Sequence, residues 1–185
     1  MDFRNNKAAY SSRGLRNNNP GNFRPGVNWQ GIAGSADGYL VFTDVQFGIR
    51  AMALNLYNNY YLFGKKDLLS FITKYAPSSD GNNPLAYANE VAAQAGITAG
   101  DDMQLSFERT AAILRAMMNV ELSNMFSAMV TDEDLHTGIN MIGKFEITAL
   151  KTAGAVRDHS LLVGVSATVL IVGYIYFVTK KSYKL

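Results

Sequence analysis

Apolar residues recur at helical spacing through the middle of the chain, and residues that cap helices stand where each helix would begin. The first such helix begins after Asp44, whose side chain can accept a hydrogen bond from the first turn, and it ends before Gly64. Its apolar face carries Ile49, Met52, Ala53, Leu56 and Tyr60. This spacing predicts a helix that buries one side in a core.

Three further helices follow from the same signals. Asp67 can cap the second helix, and Pro84 and Gly96 suit the first turn and the C-terminal end of the third. Ser106 can cap the fourth, which the apolar pattern extends to about Val120. Residues 126–159 are moderately apolar, and we expect them to form a helical connector or stalk.

The N-terminal part of the chain has a different pattern. Residues 1–12 are polar and predict a flexible arm. Residues 13–38 are dense in Gly, Asn and Pro, which favour turns, yet Leu15, Phe23 and Trp29 are interleaved, so we expect an ordered loop region. Tyr39–Phe42 is a strand candidate. The patterns together predict a mainly α fold (α+β) whose domain occupies residues 13–125.

Residues 160–178 read SLLVGVSATVLIVGYIYFV and contain no charged side chain. Because about 20 residues of α-helix cross the hydrocarbon core of a bilayer, this run predicts a C-terminal transmembrane helix, followed by a basic tail at residues 179–185. The competing interpretation is a buried helix of a soluble core, which would usually carry a polar stripe. Basic residues flank the run on both sides and do not predict its orientation. No N-terminal signal peptide is visible.

Composition narrows the chemistry. The formal net charge is +2 over 185 residues, so no nucleic-acid partner is expected. The absence of cysteine excludes a disulfide scaffold and a thiolate metal site. His136 and His159 are isolated and show no metal-ligand spacing. No glycine-rich phosphate loop stands between a strand and a helix, so neither a metal nor another cofactor is expected.

Glu121 is the most informative acidic residue. It follows Leu114, Met117 and Met118 by seven, four and three positions, so it lies on their apolar helix face. Burial would raise the pKa of such a carboxyl and favour the protonated form that a general acid needs. The competing interpretation is a glutamate at a helix end that bends into solvent or pairs with an arginine. The other acids have ordinary explanations as capping or solvated residues: Glu90, Asp101, Asp102 and Glu108.

An asparagine-rich motif, RGLRNNNPGNFR, occupies residues 13–24. Further segments follow it in order: WQG at 29–31, GYLVF at 38–42, FGIRA at 47–51, YAP at 75–77, AY at 86–87, VA at 91–92, and LRAMM at 114–118. The ordered set resembles a family of phage and prophage peptidoglycan-degrading proteins, which includes the muralytic enzymes of enveloped double-stranded RNA phages. The last helix in that family typically ends in Glu-Asn-Gly, whereas this one ends in Glu121, Leu122 and Ser123.

The resemblance implies a catalytic residue and a set of substrate-binding residues. Glu121 would protonate the oxygen that links muramic acid to glucosamine. The residues implied to shape the cleft or bind the glycan are Arg16, Asn17, Asn18, Asn19, Asn22, Trp29 and Tyr75. Asparagine suits sugar hydroxyls because it both donates and accepts hydrogen bonds, and aromatic rings can stack on sugar faces. Trp29 is equally well explained as a core residue.

The order of the matching segments suggests a hypothesis about the fold. Lytic transglycosylases of the lysozyme superfamily begin with the helix that carries the catalytic glutamate, whereas here that helix comes last. The chain therefore resembles a lysozyme-like fold that is circularly permuted. This hypothesis requires that Glu121 lies beside the loop of residues 17–22.

The resemblance and the apolar run together predict a membrane-anchored phage peptidoglycan hydrolase that cleaves murein glycan strands as a lytic transglycosylase or muramidase. The expected partners are peptidoglycan, a lipid membrane and other virion proteins, and the expected location is the virion membrane or the host inner membrane. Two alternatives remain: a structural membrane protein of the virion without activity, and a murein endopeptidase on the same fold.

Overall fold

A computed structural model describes residues 1–143 and 147–155 as a mainly helical fold with one two-stranded sheet. This confirms the predicted mainly α class with a small β element. Residues 147–155 are also helical. The helices named by their bounds are α1 Arg13–Arg16, α2 Val45–Tyr57, α3 Leu68–Tyr75, α4 Pro84–Ala95, α5 Phe107–Leu122, α6 Asn124–Ser127 and α7 Asp132–Asn140.

Helices α2, α3 and α5 begin at the predicted caps, whereas the cap of α4, Asn83, was not predicted. The side chain of Asp44 accepts a hydrogen bond from the backbone N–H of Gln46 at the start of α2. Asp67, Asn83 and Ser106 cap α3, α4 and α5 in the same way. Each cap satisfies one of the backbone donors that a helix N-terminus leaves without an intrahelical partner. A single π-helical turn, Asn58–Leu62, continues α2 towards Gly64.

The sheet pairs β1, Ile32–Ala36, with β2, Tyr39–Phe42, in antiparallel orientation. Asp37 and Gly38 form the turn, and both have positive φ, at 52° and 79°. An Asp-Gly pair favours this kind of hairpin turn because both residues tolerate the left-handed region. Only β2 was expected from the pattern, since β1 is built of small, mostly exposed residues without apolar alternation.

Residues after 125 belong to the core, contrary to the expectation of a connector or stalk. Leu135 and Ile139 of α7 are each 2% exposed and join the main apolar cluster. A Cβ placed on Gly138 would lie 2.6 Å from the Ile49 side chain, so a glycine there lets α7 approach α2 closely. Leu150, within residues 147–155, is also buried. The domain therefore extends well beyond residue 125.

The N-terminal segment also packs on the domain, so the expectation of a flexible arm at residues 1–12 is wrong. Phe3 is 1% exposed, and its backbone N–H donates to Asn18 Oδ1 at 2.8 Å. Ala9, in a short 3-10 helix Lys7–Ala9, is fully buried. The buried side chains of Phe3 and Ala9 hold this segment on the domain, although its overall composition is polar.

Within residues 1–143 and 147–155, no helix has the length and apolar character needed to cross a bilayer. The predicted transmembrane run at residues 160–178 and the basic tail at 179–185 lie outside the described residues.

Candidate active site

The asparagine-rich loop follows α1 and turns the chain back over it. Asn18 and Asn22 have positive φ values of 50° and 49°. Asparagine adopts this left-handed conformation more readily than most residues other than glycine. The backbone N–H groups of Asn18 and Asn19 donate to the carbonyls of Leu15 and Gly14, which would otherwise lack partners at the end of α1.

Strand β2 and helix α2 hold the loop in place. The backbone N–H of Phe42 donates to Asn17 O at 2.9 Å, and that of Leu40 donates to Phe23 O at 2.8 Å. On the α2 side, a Cβ on Gly48 would lie 2.2 Å from Asn18 O, so only glycine permits this approach. The loop is therefore fixed on two sides by elements that come later in the chain.

The C-terminal end of α5 meets this loop. A Cβ on Gly14 would lie 2.3 Å from Leu122 Cδ2, so α1 rests directly on the end of α5. Leu122 is 5% exposed. This contact brings Asn22 and Glu121, which are 99 residues apart in sequence, within hydrogen-bonding distance.

Two neutral donors hold the carboxylate of Glu121. Asn22 Nδ2 donates to Oε2 at 2.8 Å, and the Tyr87 hydroxyl donates to Oε1 at 2.8 Å. Arg13 Nε donates to Asn22 Oδ1 at 3.2 Å, which fixes the orientation of the amide. Arg13, Asn22 and Glu121 thus form a connected hydrogen-bond chain.

Burial raises the pKa of Glu121 above its ordinary value. The hydrogen bonds from Asn22 and Tyr87 and the charge of Arg13 act in the opposite direction, and burial outweighs them. Burial, together with the nearby charge of Glu121, raises the pKa of Tyr87 and Tyr75 as well. Both phenols therefore remain protonated, and the glutamate is more readily protonated than an exposed one.

Glu121 lies in an open groove with a volume of about 430 Å³. The groove is lined mainly by cationic, amide and aromatic side chains, and Asp80 is its other carboxylate. The lining consists of Arg13, Gly21, Asn22, Phe23, Arg24, Tyr39, Asn55, Asn59, Lys74, Tyr75, Ala76, Asp80, Asn82 and Glu121. Amides and aromatic rings together suit a carbohydrate, which offers hydroxyl groups and apolar sugar faces.

Tyr75 forms part of the groove wall. Its hydroxyl donates to Gly21 O at 2.6 Å, which ties α3 to the asparagine-rich loop. Its ring stacks on Phe71 with centroids 5.7 Å apart and meets Tyr87 edge-on at 6.3 Å. Such pairs favour one ring position, so Tyr75 and Tyr87 are rigid parts of the site.

The structure brings together three of the residues expected from the sequence, namely Glu121, Asn22 and Tyr75. The others do not line this groove. Arg16 Nη2 pairs with Asp37 at 3.2 Å, outside the groove. Trp29 packs on Phe23 with centroids 5.5 Å apart and belongs to the small core under the sheet.

Two roles were expected for Asn17, Asn18 and Asn19, namely shaping the cleft or binding the glycan. Their exposed fractions are 4%, 0% and 1%, which fits the first role and leaves little surface for the second. Asn18 Nδ2 donates to Phe42 O and Asp2, and Asn19 Nδ2 donates to the carbonyls of Phe23 and Leu40. Asn18 and Asn19 shape the loop through these side-chain bonds, and Asn17 does so through its backbone carbonyl, which accepts from Phe42. Asn19 O also accepts from the backbone N–H of Asn22 at 2.9 Å, which holds Asn22 in position.

Sequence reasoning missed several residues of the site, namely a hydrogen-bond partner of Glu121 and part of the groove lining. Tyr87 was recognised only as part of a helix segment, although a tyrosine among alanines is unusual on a solvated face. Three further groove residues lie at the two ends of the loop motif and at the start of strand β2, namely Arg13, Arg24 and Tyr39. Their spacing in the sequence does not show that they line the same groove. In the part of the chain that the structure describes, no group of three or more acidic or histidine side chains is placed to hold a metal ion.

Comparison with models of known protein families finds no match to this sequence, and comparison with curated proteins also finds none.

Proposed function

We propose that this chain is a membrane-anchored phage peptidoglycan hydrolase that cleaves murein glycan strands as a lytic transglycosylase. The observation that carries the proposal is a partly buried carboxyl group with a raised pKa, held by Asn22 and Tyr87 at the wall of a polar, aromatic groove. An acid placed in this way can protonate a glycosidic oxygen near neutral pH.

In the proposed reaction, protonated Glu121 donates its proton to the oxygen between muramic acid and glucosamine. The bond from that oxygen to the muramic acid C1 breaks, and glucosamine leaves with a free hydroxyl. A hydroxyl or acetamido group of the same muramic acid attacks C1, which closes a ring within the sugar. When a hydroxyl attacks, its proton passes to the carboxylate and restores the acid.

Asn22 and Tyr87 have a role in both halves of this cycle. Each donates to one carboxylate oxygen, so both stabilise the anion that forms once the proton has left. They also hold the carboxyl group in one orientation, which keeps its proton directed at the substrate.

The contact between Asn22 and Glu121 also supports the fold hypothesis. A circularly permuted lysozyme-like fold requires the glutamate helix to end beside the asparagine-rich loop, and the two side chains are 2.8 Å apart. We infer that α5 corresponds to the first helix of a lysozyme-like domain.

The proposed setting is a virion membrane or the host inner membrane, with the apolar run at residues 160–178 as the anchor. Cleavage there would open the wall locally during delivery of the genome or during lysis. Peptidoglycan is the proposed substrate, and the membrane and other virion proteins are the proposed neighbours.

A digest of purified murein by the full-length chain in detergent tests the activity. We expect clearing, and we expect Glu121→Gln to reduce the rate by about 100-fold or more, since a general acid contributes that much. Glu90→Gln is the matched control, because Glu90 is exposed on α4 and does not line the groove. Unchanged clearing by E121Q would overturn the assignment of the acid.

Mass analysis of the fragments identifies the bond that is cut. Anhydromuramyl ends support a lytic transglycosylase, whereas reducing ends indicate a muramidase that uses water. New amino groups would indicate an endopeptidase. The absence of any fragment from the folded, unaltered chain would favour the structural virion protein.

A further inference from the structure

Two guanidinium groups share one tyrosine ring at the edge of the groove. Arg13 Cζ lies 3.6 Å from the centroid of Tyr39, and Arg24 Cζ lies 5.6 Å from it. All three residues line the groove that contains Glu121. The ring therefore holds two positive charges close together and directs them at the same space.

The charge of Arg13 acts on nearby Glu121, but no carboxylate of the described residues forms an ion pair with either guanidinium. Across residues 1–143 and 147–155, neither Arg13 nor Arg24 takes part in an ion pair, whereas Arg16 is paired with Asp37. Only Nε of Arg13 is engaged, with Asn22. Its terminal Nη groups have no hydrogen-bond partner in the same described ranges. Like charges placed together repel each other, and a bound anion would relieve that repulsion.

We propose that Arg13 and Arg24 form a subsite for a carboxylate of the substrate, so that the groove prefers a glycan bearing acidic peptides over a neutral glycan. This inference rests on the proposed function and specifies the class of glycan. A guanidinium presents paired N–H donors that match the two oxygens of a carboxylate, and Arg24 is exposed enough to reach a substituent that projects from the glycan.

The position of the subsite relates it to the reacting bond. Arg13 is joined through Asn22 to Glu121, so a carboxylate bound at Arg13 lies next to the sugar that receives the proton. Stem peptides of peptidoglycan carry free carboxylates close to muramic acid. Binding such a group would orient the muramic acid ring relative to Glu121.

Equilibrium binding by calorimetry tests the subsite without catalysis. The parent protein is the full-length Glu121→Gln chain in detergent. Three ligands are compared: a disaccharide-peptide oligomer of murein, the same oligomer with its carboxylates converted to methylamides, and a neutral chito-oligosaccharide of equal length. Arg24→Gln removes one guanidinium outside the hydrogen-bond chain of Glu121. Arg109→Gln on α5 is the matched control, with the same loss of charge away from the groove.

We expect Arg24→Gln to weaken binding of the acidic oligomer about tenfold, as loss of a charge-assisted hydrogen bond does, with the two ligands that lack carboxylates unaffected. Arg109→Gln should change none of the three. Equal affinity of the parent for the acidic and methylamidated oligomers, or equal weakening by both arginine variants, would overturn the subsite alone. If the parent bound no glycan at all, the proposed function would fail with it.

Discussion

At the scale of single residues, Glu121 combines partial burial with two neutral hydrogen-bond donors. Burial favours the protonated acid, and the donors favour the anion, so the carboxyl group can exchange its proton without losing its position. The sequence predicted this residue because its place on an apolar helix face depends only on helical periodicity. It did not predict Tyr87, since that contact depends on how α4 packs on α5.

The pKa of Glu121 predicts how stability varies with pH. Burial raises this pKa in the folded state above the ordinary value of 4.5. The stability that Glu121 contributes to the folded state is therefore complete below pH 4.5, where the carboxyl group is protonated in both states, and it is lost as the pH rises through the folded-state pKa. Glu121→Gln removes this loss. We expect the variant to be more stable than the parent at pH 7 and similar to it at pH 4, as measured by urea unfolding. An advantage that is equal at both pH values would contradict the raised pKa.

Asn22 is predicted to act on the acid through its amide rather than through the backbone. Asn22→Gly keeps a residue that tolerates positive φ but removes the hydrogen bond that lowers the pKa of Glu121. We expect activity to fall roughly tenfold, as loss of one hydrogen bond implies. The alkaline limb of the pH–rate profile should move to higher pH.

Asn18→Gly is the matched control for this prediction. Asn18 also has positive φ, but its side chain bonds to Phe3, Asp2 and Phe42 instead of to Glu121. This variant should lose about 1–3 kcal/mol of stability, because buried groups lose their partners, and keep the alkaline limb where it is. Equal shifts of that limb in both variants would show that the loop acts only as a support.

At the scale of secondary structure, the residue that follows α5 has a strained backbone conformation. Ser123 has φ 66° and ψ 157°, a conformation that is almost restricted to glycine. The resemblance noted above expects glycine at this point. A serine in this conformation is expected to cost stability relative to glycine.

Ser123→Gly should therefore stabilise the protein by about 1 kcal/mol, the lower end of the cost of such strain, which corresponds to about 2–4 °C in Tm. Thermal unfolding followed by circular dichroism measures the change. Ser79→Gly is the control, because Ser79 is exposed and lies outside the positive-φ positions. A gain in Tm as large for S79G as for S123G would show that the effect does not come from relief of backbone strain.

At the scale of the whole molecule, the folded domain extends further at both ends than the sequence pattern predicted. Phe3 and Ala9 anchor the N-terminal segment, while Leu135 and Ile139 make α7 part of the core. Composition predicted a flexible arm and a connector outside the domain. Both predictions were wrong because a polar segment needs only one or two buried side chains to be held in place. The groove, in contrast, is built from residues between Arg13 and Glu121, all within the domain bounds expected from the sequence.

Membrane attachment is a prediction for the full chain. Leu170→Lys combined with Ile171→Lys would place two charges in the apolar run, at about 2.5–3.5 kcal/mol for each charge near the bilayer centre. We expect this double variant to stop floating with liposomes in a density gradient. The control is Leu85→Lys with Met125→Lys, which adds the same charge at two exposed apolar sites of the domain. Equal flotation of both double variants would contradict the anchor.

The sequence by itself determined the long helices, the caps of α2, α3 and α5, strand β2 and the candidate acid, because each of these depends on neighbouring residues and on periodicity. Only the tertiary structure decided which asparagine meets Glu121, which asparagines are buried in the loop, and which arginines face the groove. Those contacts arise where α1, α4, α5 and the sheet pack together, between residues as far apart as Asn22 and Glu121. Local pattern does not determine such contacts, because they depend on the relative positions of whole elements.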